Sequence, residues 1–299
     1  MQRAMICPMV TAFTAQGKID ERANAAQIER LIAGGVGGIL FLGSIGEFSA
    51  MSMKSKHVFL RFAISQVAHR TRVLFGATCS SVEETLAFTE VGREAGADAA
   101  MILPPYYFPA TQDEVIAYYS QLAEQTGLSF MMYNFPATTG TSIEPETAAS
   151  LAKAFPQIIG IKDTVDCISH TRALIAKIRP LRPDFEIYSG FDEYGLLNLM
   201  LGGNGVISGM NNLAPELFKR LLMAVHQRNY AEAEAAQRRI CQLMPLYQAM
   251  PSFVQAIKLA VGFFVKDYPE QMALCCPPAK AEQRKTIEGI LIRSGLLNT

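Results

Sequence analysis

A chain of 299 residues in which half of the side chains are hydrophobic and 18% are charged can bury a large core, which excludes wholesale disorder. Lysine plus arginine and aspartate plus glutamate stand at 27 each, so the excess of positive charge that polyanion binding depends on is missing and a nucleic-acid partner is not expected. Six cysteines without C-x-x-C spacing and four scattered histidines without an i, i+4 pair indicate reduced thiols and no metal.

The apolar stretch 4–10 is interrupted by Pro8 and is too short for a spanning helix or a signal peptide, so no membrane attachment is expected and the cytoplasm is the default location. From there, short apolar runs recur at 5–13, 38–42, 73–77, 97–103, 128–133, 158–161, 185–188 and 205–207, each with the composition of a buried parallel strand. Helix candidates at 21–33, 53–68, 82–95, 113–124, 145–154 and 169–178 separate them, with capping-box patterns at Ser81/Glu84 and Thr111/Glu114. A helix at 215–225 closes the last strand-helix unit, and helices at 230–244, 252–264 and 278–292 follow.

Eight alternating units predict an α/β fold, a (β/α)8 TIM barrel over 1–225 with a small C-terminal helical region over 226–299, and such a barrel takes about 250 residues. An open doubly wound sheet would also alternate, but it carries a glycine-rich phosphate loop after an early strand, and 43–48 lacks that fingerprint. Gly34, Gly35, Gly37 and Gly38 fall between a helix and a strand and read as turn geometry.

Barrel active sites form at the C-terminal ends of the strands, which directs attention to three segments. The sixth strand ends in Gly160-Ile161-Lys162-Asp163. An amine held among apolar groups becomes a nucleophile toward a carbonyl, so Lys162 can form an imine. The bland alternative is that it pairs with Asp163 or reaches out to solvent. The fifth strand ends in Tyr133-Asn134-Phe135-Pro136, placing a phenol beside Lys162 as a proton donor and acceptor, or else as a packed aromatic. After the second strand, Gly43-Ser44-Ile45-Gly46-Glu47 offers a hydroxyl and backbone N–H groups suited to a small carboxylate, or serves chain reversal alone.

Together these segments resemble the dihydrodipicolinate synthase and N-acetylneuraminate lyase family. Further matches are Pro105-Tyr106-Tyr107, Gly190, and the run Gly202-Gly203-x-Gly205-Val206-Ile207-Ser208, so the resemblance spans nearly the whole chain. It implies a homotetramer without cofactor in which Lys162 forms a Schiff base with pyruvate or another small 2-oxo acid. Tyr133 would shuttle protons, Ser44 and the backbone of Ile45 would hold the carboxylate, and Tyr107 would reach a neighbouring subunit's site. Ile207 and Ser208, at the eighth strand, join the expected substrate-binding residues.

Two departures refine the resemblance. Synthases of the family carry arginine at the position of Thr138, and a neutral hydroxyl cannot replace that anion clamp. Ile45 stands where a threonine is common. Thr164, Gly190, Asp192 and Glu193 resemble positions that sugar-acid lyases of the family use near a hydroxylated chain, although Asp192 and Glu193 can equally cap and polarise a helix start. The expected reaction is therefore cleavage of a 2-keto-3-deoxy sugar acid to pyruvate and an aldehyde. The alternatives are N-acetylneuraminate cleavage, the synthase reaction, or a catalytically silent 2-oxo acid binder.

Overall fold

The computed structural model describes residues 3–298. Within them eight strands close into a barrel in sequence order: β1 (Ala4–Pro8), β2 (Gly38–Phe41), β3 (Arg72–Gly76), β4 (Ala99–Ile102), β5 (Phe130–Asn134), β6 (Ile158–Asp163), β7 (Glu186–Ser189) and β8 (Gly205–Ile207). Their near-continuous apolar runs are buried almost throughout, as strands covered on both faces require. The helices are α1 (Glu21–Gly34), α2 (Met53–Val67), α3 (Val82–Ala95), α4 (Gln112–Gln125), α5 (Pro136–Thr139), α6 (Pro145–Ala154), α7 (Ile168–Ile178), α8 (Gly195–Met200), α9 (Pro215–His226), α10 (Tyr230–Cys241), α11 (Phe253–Val261) and α12 (Ala281–Arg293). The eight-stranded TIM barrel expected from the alternation is the fold observed.

The chain groups into two compact units, one made of Leu74–Ile207 with the segment ahead of Met5, the other of Met5–Val73 with the chain from Ser208 onward. The first contains β4 to β8 and α3 to α8. The second contains β2, α1, α2 and α9 to α12. Among these, α11 is unusual: every residue from Val254 to Val261 is buried, including Lys258, so the helix is enclosed all round.

Differences from the expected boundaries have local causes. β1 stops at Pro8, which lacks an N–H for the ladder, and beyond it Phe13 makes only an isolated antiparallel bridge to Ile19. The helix expected over 230–244 ends at Cys241, because Pro245 has no N–H to donate back to the Cys241 carbonyl, and a 3-10 turn at Met244–Gln248 follows. Two short helices, α5 and α8, have no counterpart among the expected elements. Thr111 and Glu114 form the full capping box, whereas at Ser81 only the side-chain acceptance from the Glu84 N–H is present. Gly35 caps α1 in left-handed backbone, as a turn glycine should.

One irregularity in the sheet decides which side chains of β5 and β6 stand opposite one another. Phe130 pairs with Ile158 but Met131 pairs with Gly160, so β6 carries one extra residue, Ile159, at that point. A one-residue slip in a strand exchanges its two faces. The bulge therefore sets Lys162, rather than Ile161, opposite Tyr133. Gly160 makes this possible, since a Cβ there would lie 2.6 Å from both the Glu186 carbonyl oxygen and Met131 Cε.

Candidate active site

Within the first unit, Tyr133, Lys162 and Tyr188 stand side by side on β5, β6 and β7, in register and hence on one face. Lys162 is 6% exposed and Tyr133 5%, and the Lys162 Nζ lies 4.2 Å from the centroid of the Tyr133 ring. That contact uses the negative face of the aromatic ring to offset part of the cost of burying a cation. Tyr133 in turn stacks on Phe135, with ring centroids 5.8 Å apart. Amine and phenol are thus both held in a site largely closed to water.

The next residue of each strand faces the other way and builds a polar lock. Asp163 is fully buried, accepting hydrogen bonds from Asn134 Nδ2 (3.0 Å) and Thr171 Oγ1 (2.7 Å), and it meets His170 Nδ1 at 3.1 Å. Asn134 Oδ1 accepts from the Ile143 N–H at 2.9 Å. The Asp163 carboxylate is therefore occupied by β5 and the first turn of α7, which answers the expectation that Lys162 merely pairs with it. The Asn134–Asp163 bond ties together the ends of the two strands that carry Tyr133 and Lys162. Sequence reasoning places Asn134 only within a motif and gives His170 and Thr171 no role. The signal of the latter two is spacing alone, seven and eight residues beyond Asp163 on a new helix.

Burial works against charge on His170, but the hydrogen bond and charge of Asp163, with smaller contributions from Glu144 and Cys167, outweigh it and raise the imidazole pKa above its ordinary 6.5. A raised histidine adds stability that is fully present below the unfolded pKa and fades as pH rises through the folded one. His170→Gln should therefore lower the unfolding midpoint most near about pH 5.5 and least near about pH 8.5. Thermal melts of both proteins across that range check this, and a deficit that does not change with pH would refute it.

Just beyond the strand ends, the Thr164 N–H donates to the Asn134 carbonyl and the Gly190 N–H to that of Asp163, both at 2.8 Å. A Cβ on Gly190 would fall 1.9 Å from Thr164 Oγ1, so only glycine lets these two loops meet. The Thr164 hydroxyl is buried and has no hydrogen-bond partner among the described residues. Asp192 is buried in the 3-10 turn Asp192–Tyr194, whose N-cap is Phe191, so Asp192 does not serve as the helix cap considered above. Burial raises the pKa of the neighbouring Glu193 carboxyl, its own backbone N–H opposes this, and the charges of Asp192 and Asp166 add to the rise. Tyr194 donates to Asp166 at 2.6 Å, joining this turn to the loop after β6, and that hydrogen bond is the main reason its phenol is pushed up to about 12. Ile207 is buried at the end of β8. Tyr107, after β4, is 84% exposed and packs edge-on against Phe108, which is also exposed. Thr138 is exposed on α5 and donates to the Phe135 carbonyl.

Ser44, Ile45 and Ser208 belong to the second unit. Ser44 is half-buried, Ile45 and Ser208 are buried. The turn holding Ser44 is closed by the Glu47 N–H to the Ser44 carbonyl (3.1 Å) and the Phe48 N–H to that of Gly43 (3.4 Å). Thr11 Oγ1 donates to the Gly46 carbonyl at 2.9 Å. Among the described residues no helix is long and apolar enough to cross a membrane.

Residues 1–292 match the model of the dihydrodipicolinate synthetase family. The chain belongs to this family. It is 37% identical over 257 residues to Escherichia coli K12 YagE, named provisionally as a 2-dehydro-3-deoxy-D-gluconate aldolase, covering 86% of this chain and 85% of YagE. It is 32% identical to YjhH of the same organism, named provisionally as a 2-dehydro-3-deoxy-D-pentonate aldolase, covering 98% and 97% of the two chains. The crystal structure of YagE in complex with pyruvate superposes with a TM-score of 0.96 over 99% of both chains at 34% identity. Dihydrodipicolinate synthase from Thermotoga maritima, another structure of the family, gives a TM-score of 0.93 at 26% identity, covering 99% of this chain and 100% of that one.

Proposed function

We propose that the protein is a class I aldolase, a carbon-carbon lyase that cleaves a 2-keto-3-deoxy sugar acid to pyruvate and an aldehyde through a Schiff base on Lys162. The observation that carries this reading is a buried lysine amine packed on the ring of a buried tyrosine from the adjacent strand, in a chain related to two proteins named as 2-dehydro-3-deoxy sugar-acid aldolases. The Lys162 amine adds to the C2 carbonyl, Tyr133 gives its proton to the departing hydroxyl, and water leaves, giving a protonated imine beside a Tyr133 phenolate. Tyr133 takes the proton of the C4 hydroxyl, the C3–C4 bond breaks, and its electron pair passes into the imine to form an enamine as the aldehyde departs. Protonation of the enamine carbon and hydrolysis of the imine release pyruvate and restore the amine. No cofactor is needed, because the iminium is itself the electron sink.

In this reading the Ser44 hydroxyl and the Ile45 N–H hold the 2-oxo acid carboxylate, with Ile207 and Ser208 alongside. Thr164, with its unpartnered hydroxyl, Gly190, Asp192 and Glu193 receive the hydroxylated chain. The protein acts as a homotetramer in the cytoplasm, and the exposed pair Tyr107 and Phe108 meets a second copy, where Tyr107 completes the neighbouring site. Thr138 disfavours the synthase reaction, because a hydroxyl cannot clamp the second carboxylate of its aldehyde substrate.

The test is borohydride trapping with pyruvate and peptide mapping, followed by pyruvate release from 2-keto-3-deoxyhexonates and 2-keto-3-deoxypentonates, from N-acetylneuraminate, and by condensation with aspartate semialdehyde. An adduct at Lys162 with cleavage of a 2-keto-3-deoxy acid is expected. An adduct without turnover of any substrate would make the protein a silent 2-oxo acid binder, and no adduct on folded protein would overturn the Schiff-base mechanism.

A further inference from the structure

The second unit holds a fully buried ion pair that the proposed chemistry does not use. Lys258 on α11 donates to Glu47 Oε1, and both side chains have no exposure at all. The other oxygen, Oε2, accepts from the Ala273 and Leu274 N–H groups at 2.8 and 2.9 Å. Lys258 also donates to the Gln271 carbonyl at 2.9 Å and lies 4.7 Å from the centre of the Phe13 ring. Both oxygens of the carboxylate are thus engaged, and the cation has three partners. Glu47 itself sits in left-handed backbone at φ 61°, unusual for a residue with a side chain.

A buried ion pair is a poor way to gain stability, since apolar side chains of similar volume would fill the space without desolvating two charges. What a saturated pair provides is direction. Glu47 is the residue whose N–H closes the turn on the Ser44 carbonyl, so the same residue shapes that turn through its backbone and anchors it through its side chain. Four fixed hydrogen-bonding directions hold its backbone in the disfavoured conformation: one to the turn, three to α11 and the segment 271–274.

Resting on the reading of Ser44 and Ile45 as the carboxylate holders, we infer that Glu47 and Lys258 are positioning residues that set the affinity for the 2-oxo acid by fixing the Ser44–Ile45 turn. Neither touches the reacting atoms. Removing the charge should loosen the turn and weaken carboxylate binding while leaving the imine chemistry at saturation nearly intact.

The experiment compares the parent with Glu47→Gln, Lys258→Met and the double variant, following trapping at Lys162 against pyruvate concentration, kcat and KM for the sugar acid, and the unfolding midpoint. Glu47→Gln is expected to raise half-saturating pyruvate and KM about tenfold, with kcat little changed, a loss confined to binding. The double variant removes both charges and should recover most of the unfolding midpoint, yet keep the high KM. Should Glu47→Gln not fold, the double variant carries the comparison. Affinity at the parent value in either folded variant, or affinity that recovers together with the midpoint, would reduce the pair to a packing element and overturn the inference. Absence of any adduct in the parent would instead remove the Schiff-base reading on which it rests.

Discussion

Lys162→Met is expected to fold normally and to lose turnover on the order of 10⁶-fold, the scale seen when a covalent nucleophile is removed from an enzyme that depends on it. Methionine is chosen because it keeps an unbranched side chain to pack on the Tyr133 ring while deleting only the amine. Folding should not suffer, since removing a cation from a site that is 6% exposed relieves a desolvation cost. Steady-state cleavage and borohydride trapping read the chemistry, and a thermal melt reads the fold. Residual trapping of pyruvate on another lysine, with turnover preserved, would move the nucleophile elsewhere and remove the reading given above.

Tyr133→Phe is the second large effect, with kcat expected to fall by about 10² to 10⁴, the range for loss of a positioned acid or base. The ring stays, and with it the stacking on Phe135 and the contact with the Lys162 amine, so the change isolates the hydroxyl. If Tyr133 moves the C4 proton, trapping of pyruvate at saturation should survive while cleavage of the sugar acid collapses. A variant that cleaves at the parental rate would leave the phenol with a packing role and require another base.

Much of the fold is legible in the order of residues alone. The eight apolar runs yield the strand count because buried parallel strands have no polar alternation to blur them, and β8 is located to the residue. Lys162 and Tyr133 stand out because a lysine and a phenol at the ends of neighbouring apolar strands need a reason to be there. The bulge at Ile159 is not legible, although it sets those two residues opposite one another, since a run of isoleucines looks the same with or without it. Nor is the Asn134–Asp163–His170–Thr171 lock, because its members are polar residues whose meeting depends on how α7 returns to β6. Lys258 does leave a trace: the single charged residue within Phe253–Val261, a helix apolar apart from Gln255, needs a counter-charge, but nothing along the chain points to Glu47 as that partner.

Glu47 and Lys258 are 211 positions apart in the chain. During synthesis, the turn that carries Ser44 leaves the ribosome well before Lys258 and must wait until 211 further residues have followed before its anchor arrives. Such a distant partner makes the turn a late arrival in folding, because the long intervening loop has to be closed first. On the proposed reading, a nascent chain halted between β6 and α11 would hold Lys162 and Tyr133 and yet lack the Lys258 anchor of the Ser44 turn, leaving such partial products with a weakened hold on the keto acid.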